Sequence, residues 1–251
     1  MHQLVAKRLS LNGLEAREMR RLETEVAVCA KLRHPNICHY FGTLARGANL
    51  MICLEYAAGG TLSERIEQAL VAHEPFACNL AVSWVAQIAA AVSHMHSRRV
   101  LHRDLSAQNV FLSADGDIKV GDFGLSKVSN TSISFKGRTM CGTPNYFSPE
   151  MVNGEPYGAA SDTWSVGLLV HEILTLRHPF HGGSLAVLFQ RIVACGYDHQ
   201  QLADAPYPDE LKVVASSSEL LHVDPRKRLT LEALLARQTF QTASFRRKSV
   251  R

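Results

Sequence analysis

A chain of 251 residues, 46% hydrophobic and 20% charged, can bury a sizeable core as one large domain or two smaller ones sharing a cleft, which excludes disordered and small-scaffold classes. Lys plus Arg outnumber Asp plus Glu by 27 to 23, a net charge of +4 spread along the chain, so no nucleic-acid partner is indicated. The six cysteines form no CxxC pair and follow no secretory leader, which suits a reducing compartment, and the longest apolar helical segments, around 82–95 and 166–176, fall short of the ~20 apolar residues of a membrane span.

In chain order, residues 2–9 read as a strand that opens without a cap, and residues 15–32 as an amphipathic helix with Met19, Leu22, Val26 and Cys29 on one face, closed by His34-Pro35-Asn36. Apolar runs at 37–44 and 50–56 flank a turn at 46–49 and predict a small antiparallel sheet. Gly59-Gly60 marks a break, after which helices are expected at 62–72 and 80–98, short strands at 110–112 and 118–120, and a long irregular stretch at 122–150. A loop that long inside a compact domain is usually functional. Helices are then expected at 162–176, 185–193, 208–221 and 231–236, and Arg246, Arg247 and Lys248 form a basic tail that reads as a solvated end.

The polar octet His102-Arg103-Asp104-Leu105-Ser106-Ala107-Gln108-Asn109 lies between the apolar anchors Val100-Leu101 and Val110-Phe111-Leu112, and Asp122 follows Asp104 by 18 residues at the end of the next predicted strand. Two carboxylates and an amide placed this way suit phosphoryl transfer. Asp104 can orient and deprotonate a hydroxyl, while Asn109 and Asp122 offer hard oxygen ligands for Mg²⁺. Any one of these alone is an ordinary turn residue; the combination is not. His94 and His96 precede a basic turn and His102 sits within the octet, so a zinc site is not expected.

His102 to Asn109, Asp122-Phe123-Gly124 and Ser148-Pro149-Glu150 resemble, in order, the catalytic-loop, DFG and APE-type motifs of the eukaryotic protein kinases. The segments Asp162–Gly167 and Asp224–Arg228 agree, and the resemblance implies a pairing of Glu150 with Arg228. It implies an α+β, bilobal fold: a β-rich small lobe with one long helix over 1–58, a mainly helical large lobe over 59–238, and the tail over 239–251. It further implies ATP and Mg²⁺ as cofactors and a protein substrate with a Ser or Thr acceptor, with no nucleic acid and no membrane. Val5-Ala6-Lys7 resembles the strand that presents the phosphate-binding lysine, Glu25 is the implied partner of Lys7, and Ala6, Leu54, Glu55, Ala57 and Phe111 are placed around the nucleotide. Gly142-Thr143-Pro144 resembles the substrate-docking end of Ser/Thr kinases, Thr139 is the expected regulatory phosphate acceptor, and Cys141 the thiol to test for reactivity. Residues 25–28 with 34–37, 109–112 and 174–180 resemble the NIMA-related kinases, a group that implies a cytoplasmic location with cytoskeletal association.

Two departures from the pattern favour an alternative, a catalytically impaired pseudokinase acting as a binding module. Only six residues precede Lys7, so the chain reads as truncated before a glycine-rich loop. Ser106 stands where such kinases carry a lysine, and loss of a positioned donor costs about 2.7–4 kcal/mol of transition-state stabilisation.

Overall fold

The structure is a computed structural model and describes residues 3–13, 15–122, 132–135, 138–141 and 143–241, with the backbone alone at 18, 21, 25, 132–135 and 138–141. Its first part is an antiparallel sheet in the order β1-β3-β2, formed by β1 (Leu4–Ser10), β2 (Tyr40–Arg46) and β3 (Asn49–Glu55), with helix α1 (Ala16–Lys31) between β1 and β2. The β2–β3 hairpin closes through Gly47, whose φ of +58° a side chain would strain. Leu22 and Cys29, seven residues apart on α1, are buried together with Leu32 and Ile52, so one stripe of the helix covers one face of the sheet.

The expected strand at 37–44 divides at its start. Ile37 makes an isolated parallel bridge to Val120, and regular pairing as β2 begins only at Tyr40. Asn36–Cys38 thus spends its backbone groups on the second part of the molecule rather than on the small sheet.

That second part is mainly helical. α2 (Leu62–Ala72) starts with a reciprocal capping box between Thr61 and Glu64. α3 (Cys78–Ser97) is apolar almost all round; by length and composition it could cross a membrane, but 61% of its apolar window is buried among the other helices. The hairpin β4 (Val110–Leu112) and β5 (Ile118–Val120) follows, and then β6 (Ser132–Phe135) paired with β7 (Arg138–Cys141), inside the stretch expected to be irregular. α4 (Pro149–Asn153), α5 (Ala159–Thr175), α6 (Leu185–Val193), α7 (His199–Asp204), α8 (Asp209–Val214) and α9 (Leu231–Leu235) complete the order.

The core lies between α3 and α5. Trp164 stacks on Phe180 with ring centres 5.7 Å apart, and a side chain at Gly167 would meet Leu221 Cδ2 at 2.8 Å and Leu220 Cβ at 2.9 Å. That close approach is why a glycine stands mid-helix despite its cost of ~1 kcal/mol. The helix expected over 208–221 stops at Val214, because Ser216 and Ser218 bond each other and Ser216 Oγ donates to the Val213 carbonyl, a local alternative to helix continuation. α7 was not expected; its cap is Asp198, which accepts from Gln200 N.

Candidate active site

The octet 102–109 is a loop fixed from beneath by α5. Asp162, in the first turn of α5 and fully buried, accepts from His102 N at 2.9 Å and Arg103 N at 3.1 Å, pairs with His96 Nε2 at 2.8 Å, and takes the Tyr157 hydroxyl. Burial alone would raise this carboxyl, but the hydrogen bonds from His96 and Tyr157 outweigh it and hold it below its ordinary value. Asp162 therefore stays ionised and clamps two successive loop amides. Between them Arg103 adopts a left-handed φ of +72°, a strained conformation for a non-glycine residue that these bonds sustain.

Burial lowers the pKa of His102, against the pull of Asp162 and Asp104, so the ring is neutral near pH 7 and its Nε2–H donates to the Gly121 carbonyl at 3.0 Å. That bond ties the loop to the end of β5. Asp104 then faces the cleft. Its Oδ2 and backbone carbonyl accept from Asn109 Nδ2 at 3.1 and 2.7 Å, and its Oδ1 accepts from Thr143 N at 3.2 Å and Thr143 Oγ1 at 3.4 Å.

Asn109 turns its amide nitrogen to Asp104, which leaves its side-chain carbonyl as an oxygen donor, and its backbone carbonyl accepts from Gly121 N at 2.9 Å. Asp122 is the next residue, at a left-handed φ of +55°, with Oδ1 2.9 Å from Lys7 Nζ across the cleft. A carboxylate beside an amide carbonyl is a hard, oxygen-only donor set. It fits a Mg²⁺ ion that keeps its remaining ligands as water and phosphate, and it does not suit zinc. Asp104, Asn109, Asp122 and Lys7 are thus brought together.

The other expected site residues fall as follows. The described partner of Lys7 is Asp122 rather than Glu25; Glu25 lies on α1, and its side chain, like Phe123 and Gly124, lies outside the described residues. Leu54 stands opposite Val5 in the β1–β3 register, half-buried, with Ala57 just beyond the end of β3. Phe111 on β4 packs where a side chain at Gly121 would be, 2.9 Å from its ring. Glu55 turns its carboxylate to His39 N and to Lys119 Nζ, leaving only its backbone for a ligand. Ala6 requires a correction: strand alternation puts it, exposed, on the face opposite Lys7, and Val5 takes the place beside Lys7.

Glu150 and Arg228 meet as the resemblance implies, at 3.0 and 3.2 Å with both side chains nearly inaccessible. Burial pushes Glu150 up, and the bonds and charge of Arg228 more than reverse it. Sequence reasoning placed Asp162 and Thr143 in family-like segments but assigned neither a role, and it missed the pair Tyr146–Glu172. The Tyr146 hydroxyl donates to Glu172 on α5 and accepts from Ala107 N at 3.1 Å, so it links the loop to the core. Nothing in the residue spacing signalled Glu172. Ser106 is 1% exposed and its hydroxyl has no hydrogen-bond partner among the described residues, so it does not stand in for a cation in the cleft. Thr139 and Cys141 lie on β7 with side chains outside the described residues.

A lobe-spanning cleft with this loop, paired carboxylates and opposing lysine defines a protein kinase domain. The sequence profile of that family, described as protein kinase domain, matches residues 2–240, and the chain belongs to it. Among curated proteins it is similar to the human serine/threonine-protein kinase Nek5, 35% identical over 93% of this chain, and to mouse Nek1, 33% identical over 92%. It is also similar to an Aurora/IPL1-related protein kinase 2 of Caenorhabditis briggsae, 34% identical over 84% of the chain. The chain spans 32% of the length of human Nek5 and 18% of mouse Nek1.

Proposed function

We propose that the chain is a Ser/Thr protein kinase of the Nek type, transferring the γ-phosphate of ATP to protein hydroxyls. The observation that carries this is the bonding of Asp104 to Asn109 and of Asn109 to Gly121, which sets Asp122 beside them and against Lys7. Asn109 and Asp122 would hold Mg²⁺, which supplies neutralisation of phosphate charge when bound. Lys7 supplies a cation to the phosphates, and the backbone near Glu55 and Ala57 meets the adenine beside Leu54, Val5 and Phe111. Asp104 orients the acceptor hydroxyl and takes its proton; Thr143, donating to the same carboxylate, fixes its direction toward the segment that ends in Tyr146.

The loss of a lysine at 106 slows transfer without removing any group that holds nucleotide, so this reading is preferred to a pure binding module. A lobe boundary between Glu55, where β3 ends, and Thr61, which caps α2, suits the limits 1–58 and 59–238. A phosphate on Thr139 would regulate by drawing Arg103 and Arg138. A cytoplasmic, cytoskeleton-associated location is part of the same proposal and rests on similarity to Nek kinases.

The test is transfer of labelled phosphate from MgATP to Ser- and Thr-containing peptides by the pure chain. Signal that vanishes in Asp104→Asn and in Asp122→Asn is expected; signal that survives both substitutions would overturn the proposal.

A further inference from the structure

Gln87 is a polar residue in the middle of the apolar helix α3, flanked by the buried Ala86 and Ile88. Its amide is fully used. Oε1 accepts from Ile118 N at 2.6 Å and Asn36 Nδ2 at 3.1 Å, while Nε2 donates to Asp117 Oδ1 at 2.9 Å and Ser83 Oγ at 3.1 Å. Asn36 Nδ2 donates also to the Ile118 carbonyl at 3.0 Å. One side chain thus joins α3, the first residue of β5, and the segment 34–38 that leads into the small sheet.

The rest of β5 is held by the same segment and by the end of β3. Val120 N donates to the Asn36 carbonyl at 2.8 Å, Cys38 N donates to the Val120 carbonyl at 2.9 Å, and Lys119 Nζ pairs with Glu55 at 2.7 Å while His39 N donates to that carboxylate at 3.0 Å. Beyond Val120 there is little slack before Asp122. Gly121 is fixed by Asn109 and His102, and a side chain there would lie 2.9 Å from the Phe111 ring and 3.1 Å from Cys38 Sγ. A displacement of β5 is therefore passed on to Asp122.

We propose that Gln87, acting with Asn36, is a positioning residue for Asp122: it sets β5 against the segment 34–38, and so fixes the metal-binding carboxylate relative to the sheet that carries Lys7. A helix position that served packing alone would be met by an aliphatic residue of the same volume, with no amide to satisfy. The proposal rests on the kinase reading for the identity of the ligand, and on bonds alone for the positioning.

The experiment compares the parent with Gln87→Leu, which keeps the volume, with Asn36→Ala, and with the control Ser83→Ala, which removes only a contact inside α3. Amide hydrogen exchange is followed in the unliganded chain. Loss of the Ile118 acceptor is a local effect in Gln87→Leu, so the deciding amides are Val120 and Gly121, whose own acceptors are backbone carbonyls that both variants retain. They are expected to exchange about tenfold faster in Gln87→Leu and Asn36→Ala, with α5 amides and the Ser83→Ala chain unchanged. In parallel, the Mg²⁺ concentration that half-saturates binding of a fluorescent ATP analogue is expected to rise severalfold in the same two variants. Exchange at Val120 and Gly121 within twofold of the parent overturns the positioning role, as does faster exchange with an unmoved Mg²⁺ requirement. Absence of nucleotide binding in the parent overturns the kinase reading instead, and the exchange result then decides the positioning alone.

Discussion

On the large-lobe side of the cleft, the catalytic loop hangs from groups that water does not reach: Asp162 and His102 are inaccessible, and the Glu150–Arg228 pair that closes the segment after Thr143 is nearly so. On the small-lobe side, Lys7 and Asp122 meet with side chains 27% and 31% exposed, on a strand whose neighbours Leu4 and Val5 are half open to solvent. The buried groups are costly to leave unpaired and so hold one geometry. The exposed pair gains little from its charges and is free to exchange one partner for another. Asp104, the proposed base, is thus built on a rigid support, and Lys7, the proposed phosphate cation, on a contact that a ligand can open.

Substitutions on the two sides should separate these behaviours. The largest effect expected is on turnover: Asp104→Asn keeps the acceptor for Thr143 but removes the base, and the rate of transfer should fall by ~10²–10⁴ with the unfolding midpoint in urea nearly unmoved. Arg228→Met leaves Glu150 buried and unpaired and should cost about 3–5 kcal/mol of stability. Lys7→Met, with its partner part-exposed, should cost less than ~1 kcal/mol while abolishing transfer. Equal losses of stability from the last two would erase the contrast between the sides.

Legibility in the sequence followed the range of the interactions. Asp104, Asn109 and Asp122 could be read because one loop and one hairpin bring them together, and hydrophobic anchors on both sides mark the loop's ends. The bond between Lys7 and Asp122 spans 115 residues, and the clamp by Asp162 spans 60, distances over which residue spacing carries no geometric information. Ala6 was misplaced for a different reason: an open-edge strand with Leu4, Val5 and Ala6 all exposed has no polar and apolar alternation to fix its parity, and only the pairing of Lys7 with Ile52 does so. Ser216–Ser218 hid the end of α8 because helix periodicity continues through Leu220 and Leu221, while the serine hydroxyls compete with the helix bonds. Gln87 is legible as an amide set between Ala86 and Ile88 in the apolar middle of α3, but what it bonds to lies 31 and 51 residues away along the chain.

The pH dependence of stability probes the support beneath Tyr146, where the two kinds of buried group oppose each other. Burial raises Glu172 to about 7, and the bond from Tyr146 reverses only part of that. From the usual carboxylate range up to about 7, the folded chain therefore keeps a proton that the unfolded chain releases, and stability falls as pH rises through this window. Burial presses His171 and His178 down to about 4, the latter edge-on to the Tyr146 ring at 5.0 Å. Below about 6.5 the unfolded chain takes up protons that these rings refuse, so their contribution to stability falls as pH drops toward about 4. Glu172→Gln removes the first slope and keeps the second. Urea midpoints measured between about pH 5 and about pH 7.5 should then rise more steeply with pH in the variant than in the parent, by an amount on the order of 1–3 kcal/mol across the window. Identical slopes would mean that Glu172 is ionised throughout and solvated in the folded chain, and that the large-lobe support is more open to water than its packing implies.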